Sequence, residues 1–386
     1  MKKLVRVTTV PLSLEKLLNG QWSFLKDYYD ITAVSSNNEK LKKFGKDFNV
    51  KTFCVPLTRK ITPLQDLKSI WLLYKFFKKE KPDIVHTQTP KAGLVGMFAA
   101  FLARAPIRIH DVVGLPLMEK TGLKYYLLFY VEKVVYLFAH KIYPNSFGLK
   151  DYMSKKKLAP EEKMKILANG SSNGIDPSFF SNELFSDEER NSLRKKLNID
   201  ALDFVFLFIG RLVTDKGINE LINAFSILIK KELNVKLLLV GPYENDLDPL
   251  KYDTIEKIQK TDQIITVGYK EDVRPYFAIS SCFVFPSYRE GFPNVVLEAA
   301  SMDLPCIVSD INGSNEIIEN GFNGIIVPKK NTKALLDAMT EILHNKSLKQ
   351  LCIENSRTSV SKKFSKEIFY DALLSEYRSL ERILQP

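Results

Sequence analysis

Short apolar runs alternate with helical patterns along the first half of the chain. Short apolar runs predict buried strands, and apolar residues three or four positions apart predict helices that cover them. The predicted strands are residues 4–10, 31–34, 50–55, 83–87, 107–112, 141–143 and 164–167, and the predicted helices include residues 14–28, 63–79, 92–103 and 125–139. This alternation is typical of a parallel sheet with helices on both faces.

The second half of the chain repeats the alternation. It begins after residues 169–182, a segment rich in turn-forming residues, which is followed by a charged helix over residues 187–197. The predicted strands are then residues 204–209, 235–240, 264–267, 282–285, 305–308 and 324–327. We therefore predict two tandem, doubly wound, Rossmann-like α/β domains, residues 1–182 and 183–364. They should face a cleft, with ligands beyond the carboxyl ends of the strands.

Composition excludes several classes of protein. The chain has 386 residues, 45% of them hydrophobic and 26% charged, which suits about two globular domains. The first ten residues are too short and too interrupted by Arg6 for a signal peptide, and the apolar segments 93–103 and 125–139 are too short to span a bilayer. We therefore expect a cytoplasmic protein. The scattered cysteines and histidines predict neither a disulfide framework nor a zinc site.

Charge is unevenly distributed along the chain. Residues 1–186 contain 30 Lys and Arg against 16 Asp and Glu, whereas the rest contains 26 against 29. A basic surface can bind nucleic acid or an anionic membrane, and no nucleic-acid-binding motif accompanies the basic residues. The segment 120–141 is helical in period, rich in aromatic residues and flanked by lysines, which suits a helix at a membrane interface. Alternatively, this helix packs its apolar face on the sheet, and both can hold together.

The candidate chemistry concentrates in residues 283–310, FVFPSYREGFPNVVLEAASMDLPCIVSD. A strand leads into a polar loop with Glu290 and Gly291, and Pro293 opens a helix that contains Glu298. The amino end of that helix, with a glycine that lets the backbone approach a ligand, predicts an anion site. Glu298 lies about 7 Å along the helix from its start, so the two carboxylates suit the ends of one long ligand better than a single glycosidic bond. A sugar nucleotide has that shape.

This stretch resembles the signature of the retaining family-4 glycosyltransferases of GT-B fold. The resemblance rests on Glu290, seven intervening residues and Glu298, within EGFPNVVLEA and its flanking residues. In that family the first Glu lies by the donor sugar and the second binds the nucleotide ribose. The resemblance also implies that the tail helix, residues 365–384, crosses back to brace the first domain. The residues expected at the diphosphate beside the helix start are Gly291, Phe292, Asn294 and Val295.

A second charged loop follows the predicted strand 204–209. Its sequence is GRLVTDKG, which places Arg211 and Lys216 at the carboxyl edge of the second sheet. The spacing matches the diphosphate-binding Arg and Lys of the resembled family, and fixed cations beside a helix start can neutralise a departing diphosphate without a metal. We therefore expect no metal and no other cofactor. Asp246 and Asp248 have the spacing of a metal-binding D-x-D, but NDLDPL is typical of a turn.

Five further residues are candidates through the same resemblance. His110, in RIHDVVGLP, resembles a family histidine that reaches the donor sugar or its phosphate; the alternative is a buried core histidine. His86 and Lys91, in VHTQTPKAG, resemble an acceptor-side segment of bacterial polysaccharide enzymes, although Lys91 could equally be a surface residue at a helix start. Tyr269 and Lys270 occupy the place of the nucleotide base. The chain departs from many members after its first strand, where TTVPLSLE lacks a glycine-rich loop.

These residues together predict a retaining glycosyltransferase. We expect it to transfer a hexose or N-acetylhexosamine from a nucleoside diphosphate, with uridine as the expected base, to a polyprenyl-diphosphate-linked saccharide in bacterial surface-polysaccharide assembly. The acceptor class rests on the resemblance and on the basic first half alone. Such an enzyme would work at the anionic cytoplasmic face of the inner membrane and would not bind nucleic acid. The alternatives are a sugar-nucleotide 2-epimerase of the same fold and a non-catalytic sugar-nucleotide-binding component of a membrane assembly complex.

Overall fold

The computed structural model describes residues 1–18, 20–244 and 248–384. They form two compact units, Met1–Gly174 together with the C-terminal helix Lys366–Leu384, and Ile175–Ser365. Each unit contains one six-stranded parallel sheet. The strands are β1 (Lys2–Val7), β2 (Tyr29–Ser35), β3 (Lys51–Cys54), β4 (Ile84–Gln88), β5 (Ile107–Val112), β6 (Lys141–Pro144), β7 (Phe204–Ile209), β8 (Val235–Val240), β9 (Ile264–Thr266), β10 (Cys282–Phe285), β11 (Cys306–Ser309) and β12 (Gly324–Val327).

Helices cover both sheets, with short 3₁₀ turns in the connections. The helices are α1 (Pro11–Leu17), α2 (Gln21–Leu25), α3 (Asn38–Phe48), α4 (Pro63–Glu80), α5 (Pro90–Leu102), α6 (Gly122–Phe138), α7 (Phe147–Lys155), α8 (Asp187–Lys196), α9 (Ile218–Leu228), α10 (Tyr252–Lys260), α11 (Arg274–Ala278), α12 (Asn294–Ser301), α13 (Ser314–Ile317), α14 (Thr332–His344), α15 (Lys346–Phe364) and α16 (Lys366–Leu384). No helix among the described residues is long and apolar enough to cross a bilayer.

The sheet of the first unit has the strand order β3-β2-β1-β4-β5-β6 and a separate core on each face. One core contains residues of α4, α5 and α6, such as Leu73, Val95 and Val135. The other contains residues of α1, α2 and α16, among them Trp22 and Tyr377. The C-terminal helix is therefore an integral part of the first unit, because its apolar face completes one of the two cores.

The sheet of the second unit has the order β12-β11-β10-β7-β8-β9. Its central strands are almost continuously apolar, as in FVFLFI of β7 and VKLLLV of β8, because a parallel sheet buries both of its faces. The order reverses between β7 and β10: from β7 the chain moves outward to β9 and then returns to β10. In such sheets, ligands bind outside the carboxyl ends of the strands at this reversal.

Three details differ from the sequence predictions. Residues 164–167 form no strand, and only an isolated bridge joins Ile142 to Met164. Helix α12 begins at Asn294, with Pro293 as its N-cap residue rather than its first turn. The units divide after Gly174, whereas the predicted boundary was residue 182. Residues 175–182 pack on the second unit, where the Asn182 side chain donates to the Met302 carbonyl at 2.8 Å.

Candidate active site

Two loops meet where the strand order of the second unit reverses. One follows β7 and covers residues 210–217, and the other follows β10 and covers residues 286–293. Gly217 has φ +72°, and a Cβ added to it would lie 2.1 Å from the Pro286 carbonyl oxygen. This close approach requires glycine at that position. The two loops that the sequence singled out are therefore in direct contact.

An ion pair joins these two loops. The ammonium group of Lys216 contacts Oε1 of Glu290, and the Ser287 hydroxyl donates to the same oxygen at 2.8 Å. The side chains of Lys216 and Glu290 are only 16% and 17% exposed. The structure thus brings together the predicted diphosphate cation and the predicted sugar-side carboxylate.

A second ion pair joins the same two loops, between the residues that directly precede Lys216 and Glu290. Arg289 Nη2 lies 3.0 Å from Asp215 Oδ2, and the backbone amide of Tyr288 donates to the Asp215 carbonyl at 2.8 Å. Asp215 also receives support from the loop after β8, because its amide donates to the Asp248 carboxylate at 2.6 Å. The backbone that precedes Lys216 is consequently held from both sides.

The loop after β11 supports the backbone of the Glu290 loop. The Asn312 side-chain amide donates to the carbonyl of Glu290 and lies 3.4 Å from that of Gly291. Gly313 has φ +78°, and a Cβ there would lie 2.6 Å from the Gly291 carbonyl oxygen. Three loops, after β7, β10 and β11, therefore determine the position of Glu290.

Helix α12 starts directly after this loop. Its N-cap residue, Pro293, provides no side-chain cap, so the amino end of the helix depends on other partners or on a ligand for its first amides. Asn294 and Val295 are its first two residues, and Phe292 before them is buried. Glu298 is half-buried in the same helix. Of the residues predicted at the diphosphate and the ribose, Gly291 and Phe292 therefore precede α12, and Asn294, Val295 and Glu298 lie in it.

Arg211 follows β7, and the predicted base-side residues follow β9, two strands away in the same sheet. The guanidinium of Arg211 bonds to the carboxylate of Glu244, which follows β8. Tyr269 and Lys270 follow β9; Tyr269 is exposed and Lys270 is partly exposed. Among the described residues, the structure therefore brings Lys216, but not Arg211, into contact with Glu290.

His110 lies in the core of the first unit rather than at an accessible edge. Its ring is 2% exposed, accepts or donates a 2.8 Å hydrogen bond with Thr87 Oγ1, and faces Gly93 of α5, where an added Cβ would lie 2.4 Å from the ring. Burial lowers the pKa of His110 to about 4. The burial of the ring against α5 fits the alternative of a core histidine, and the predicted contact with the donor sugar stays a prediction.

His86 faces the opposite side of the same sheet and is also buried. Its Nε2 lies 2.6 Å from Asp111 Oδ1 and its Nδ1 lies 2.6 Å from the Tyr377 hydroxyl. Burial, helped by the charge of Arg6, lowers the pKa of His86 to about 4, so the ring is neutral. A neutral ring that donates from Nε2 and accepts from Tyr377 satisfies both contacts.

Asp111 is the anionic centre of this buried network. It receives hydrogen bonds from His86 and Gln88, and Arg6 Nη2 lies 3.8 Å from its Oδ2. Burial alone would raise the pKa of Asp111, but these bonds and the Arg6 charge hold it below its ordinary value. The network also contains the Tyr377 hydroxyl, which receives a 2.9 Å bond from Arg6. The network fastens α16 to the sheet, which is a structural role, and the acceptor-side role of His86 stays a prediction.

Lys91 lies in the first turn of α5, next to the carboxyl edge of the first sheet. It pairs with Asp66 of α4 at 2.5 Å, and both side chains are mostly buried. The residue is therefore neither a loose surface lysine nor, in this arrangement, an open cation.

The described residues contain no group of three or more His, Cys, Asp and Glu side chains placed to hold a metal ion. Asp246 lies outside the described residues. Asp248 uses its carboxylate within the protein, on the amide of Asp215.

The sequence did not single out the residues that hold Glu290 in place. Ser287 and Asn312 contact it directly, and Asp215 with Arg289 forms the neighbouring pair. Ser287 could have been found from the sequence, because it lies three residues before Glu290. Asn312 could not, because its contact depends on the approach of another loop.

The two parallel α/β sheets and the family matches define the class of this protein, the GT-B glycosyltransferases. Two family models match the chain: "Glycosyl transferases group 1" over residues 189–359 and "Glycosyl transferase 4-like" over residues 16–146. The chain belongs to this glycosyltransferase family, as the resemblance in its sequence indicated. It is a glycosyltransferase, which separates it from the epimerase and non-catalytic alternatives.

Relatives extend over nearly the whole chain. The capsular polysaccharide biosynthesis glycosyltransferase CapM of Staphylococcus aureus is 36% identical over 381 residues, which are 98% of this chain and 97% of CapM. The UDP-Gal:alpha-D-GlcNAc-diphosphoundecaprenol alpha-1,3-galactosyltransferase of Escherichia coli is 30% identical over 94% of this chain and 93% of its own length. Among solved structures, Anabaena HepE in complex with UDP and glucose superposes with a TM-score of 0.82 at 18% identity, covering 98% of this chain and all of HepE. The last similarity supports the GT-B fold.

Proposed function

We propose that this glycosyltransferase transfers a hexose or N-acetylhexosamine from a uridine-diphosphate sugar to a polyprenyl-diphosphate-linked saccharide, with retention of the anomeric configuration. The observation that carries the proposal is the contact between Lys216 and Glu290 beside the start of α12. A cation beside a carboxylate suits sugar transfer from a diphosphate, in which the cation would meet the phosphates and the carboxylate would meet the sugar.

Each charged group has a role in separating the sugar from the diphosphate. Lys216 and the amino end of α12 stabilise the negative charge that develops on the leaving phosphate, and Arg211 adds a second cation from the same loop. Glu290 binds sugar hydroxyls and stabilises the positive charge that develops at the anomeric carbon. Glu298 binds the ribose. With these groups in place the reaction needs no metal, so activity should persist after treatment with EDTA.

The names of two relatives support the class of acceptor. One is a capsular polysaccharide biosynthesis glycosyltransferase, and the other is named for transfer to a diphosphoundecaprenol-linked sugar. Both match this chain over more than nine-tenths of its length. A lipid-linked acceptor of this kind lies in a membrane, so the enzyme must work at its surface.

Two exposed apolar stripes in the first unit form the proposed membrane surface. On α6, the exposed residues are Leu123, Tyr126, Leu127, Tyr130, Val134 and Leu137; on α4, they are Leu64, Leu67 and Trp71. Both helices cover the same face of the sheet and pack on α5, so the inner face of each is buried. For α6, this agrees with the expectation that one face of the helix packs on the sheet while another can face lipid. Lysines flank both stripes, and the positive charge of residues 1–186 favours an anionic lipid surface.

Vesicle sedimentation tests this surface. The wild-type protein should sediment with vesicles of phosphatidylglycerol and phosphatidylethanolamine and much less with phosphatidylcholine. Leu123→Glu and Leu64→Glu should each release it, because both leucines are 85% exposed and would enter the interface. Leu202→Glu is the matched control, since Leu202 is also 85% exposed but lies in the second unit. Equal binding by all three variants would contradict the assignment.

A transfer assay tests the reaction itself. Purified protein is incubated with UDP-hexoses and UDP-N-acetylhexosamines, each with and without a synthetic polyprenyl-diphosphate saccharide. We expect one of these donors to give a longer lipid-linked glycan. With an α-linked donor, NMR should show that the new linkage is also α. An inverted linkage, or an isomerised sugar nucleotide formed without acceptor, would contradict the proposal.

A further inference from the structure

The carboxylate of Glu290 is held through only one of its two oxygens. Lys216 Nζ and Ser287 Oγ both donate to Oε1. No described residue donates to Oε2 by the hydrogen bonds of the structure. Oε2 is therefore available to accept a hydrogen bond from a ligand.

The two donors to Oε1 differ in how firmly they are placed. Ser287 is completely buried at the start of the loop, and its hydroxyl also lies within 3.3 Å of the carbonyl oxygens of Asp215 and Arg289. Lys216 reaches Glu290 with a long, flexible side chain from the other loop. An ammonium group on a long side chain can turn to a new anion, whereas the short, buried serine side chain stays beside Glu290.

A donor diphosphate would compete with Glu290 for Lys216. Its oxygens are anionic, so they accept charge-assisted bonds from the ammonium group as the Glu290 carboxylate does. Once Lys216 turns to the diphosphate, the carboxylate loses one of its two restraints. The remaining restraint is the 2.8 Å bond from Ser287.

We propose that Ser287 is a positioning residue for sugar transfer. It retains Oε1 of Glu290 while Lys216 goes over to the donor diphosphate, and it thereby presents Oε2 to a hydroxyl of the donor sugar. The inference rests on the proposed roles of Lys216 and Glu290, and it adds an order of events: Lys216 turns to the diphosphate first, and Ser287 alone then holds the carboxylate that binds the sugar.

Binding of UDP and of the donor, measured by calorimetry, separates this role from a general effect on the fold. Ser287→Ala should leave the affinity for UDP unchanged, weaken binding of the UDP-sugar on the order of tenfold and lower kcat, because a hydrogen bond to a charged group is lost. Ser356→Ala is the matched control. Ser356 is another completely buried serine of the second unit, with its hydroxyl bonded within α15 at 2.7 Å, and its variant should bind both ligands as wild type does.

A double-mutant cycle identifies the partner through which Ser287 acts. In a Glu290→Gln background, Ser287→Ala should cause no further loss of UDP-sugar affinity, because the carboxylate it positions is absent. Equal weakening of UDP and UDP-sugar by Ser287→Ala, or the same tenfold loss in both backgrounds, would overturn the proposal.

The proposed movement of Lys216 from Glu290 to the diphosphate predicts a separate result in UDP binding. Glu290→Gln should bind bare UDP several-fold more tightly than wild type, because the competing carboxylate is gone. Unchanged or weaker UDP binding by this variant would contradict this movement. If the wild-type protein bound no uridine-diphosphate sugar at all, the proposed function itself would fail, which is a different outcome from either of these.

Discussion

The two sheets have the same topology but use their carboxyl edges differently. Both begin in the middle, extend three strands to one side and return to extend three to the other. In the first unit, the polar side chains near the reversal bond to one another and to α16. In the second unit, they form partly exposed ion pairs between loops. Topology thus indicates where a ligand can bind, and the elements packed over that place decide whether the polar groups are available to it.

The difference is clearest between two carboxylates: Asp111, on the strand next to the reversal of the first sheet, and Glu290, in a loop at the reversal of the second. Asp111 is enclosed by Arg6, His86 and Gln88, which use its lone pairs on both oxygens. Glu290 is restrained through one oxygen only. We therefore expect substitution at Asp111 to affect stability and substitution at Glu290 to affect catalysis.

The largest expected effect is the loss of Asp111. Asp111→Ala leaves the Arg6 guanidinium buried beside no carboxylate and should lower the free energy of unfolding by about 3–5 kcal/mol. Urea denaturation measures it. Asp47→Ala, at an exposed position of the same unit, should change the free energy of unfolding little. If Asp111→Ala unfolds like wild type and only loses activity, the contrast between the two edges is wrong.

Glu290→Gln should show the opposite behaviour. The variant should fold normally and bind the donor, but its kcat should fall by about 10²–10³, because an electrostatic partner of the transition state is lost. Single-turnover transfer with labelled donor measures the rate. The exposed Glu319→Gln variant should transfer at the wild-type rate. Wild-type turnover by Glu290→Gln would remove this residue from the mechanism.

Glu132, a second buried carboxylate of the first unit, provides a comparison with Asp111, whose pKa is lowered in part by the charge of Arg6. Glu132 on α6 is 4% exposed, and burial raises its pKa from 4.5 to about 7. The folded protein therefore retains this proton where the unfolded chain has lost it, so stability should fall as the pH rises from about 4.5 to 7 and then level off. Glu132→Gln should remove that fall and be more stable than wild type at pH 8 by about 3 kcal/mol.

Urea denaturation at pH 5 and pH 8 measures the effect of Glu132→Gln. The gain should be much smaller at pH 5, where the wild-type carboxyl is already protonated in the folded state. A gain of equal size at both pH values would show that packing rather than ionisation is responsible. Glu271→Gln, at an exposed site, serves as the control.

The smallest expected effect is on ligand affinity. Lys216→Ala should weaken binding of bare UDP about tenfold, because one charge-assisted bond to the diphosphate is lost. Calorimetry measures the affinity. Lys257→Ala removes a lysine from an ion pair on the surface of the same unit, the pair with Asp253, and should bind UDP as wild type does. Unchanged affinity in Lys216→Ala would retract the assigned role of Lys216.

Loops that follow neighbouring strands could be predicted to meet. The alternation of apolar runs placed both GRLVTDKG and PSYREGFP after central strands, and parallel strands end at one edge. The contact of Lys216 with Glu290 agrees with that placement. The pairing of Arg211 with Glu244 could not be predicted, because each long side chain has several possible partners and the choice depends on distances in the folded loops.

The sequence by itself determined the α/β class, the family and the loops that carry the charged residues, because these depend on local periodicity and spacing. Only the tertiary structure decided that His110 and His86 are enclosed on opposite faces of one sheet and that α16 completes the first core. It also decided that Ser287 restrains Glu290. Burial and hydrogen-bond partners arise from residues far apart in the chain, so no pattern within a single segment specifies them.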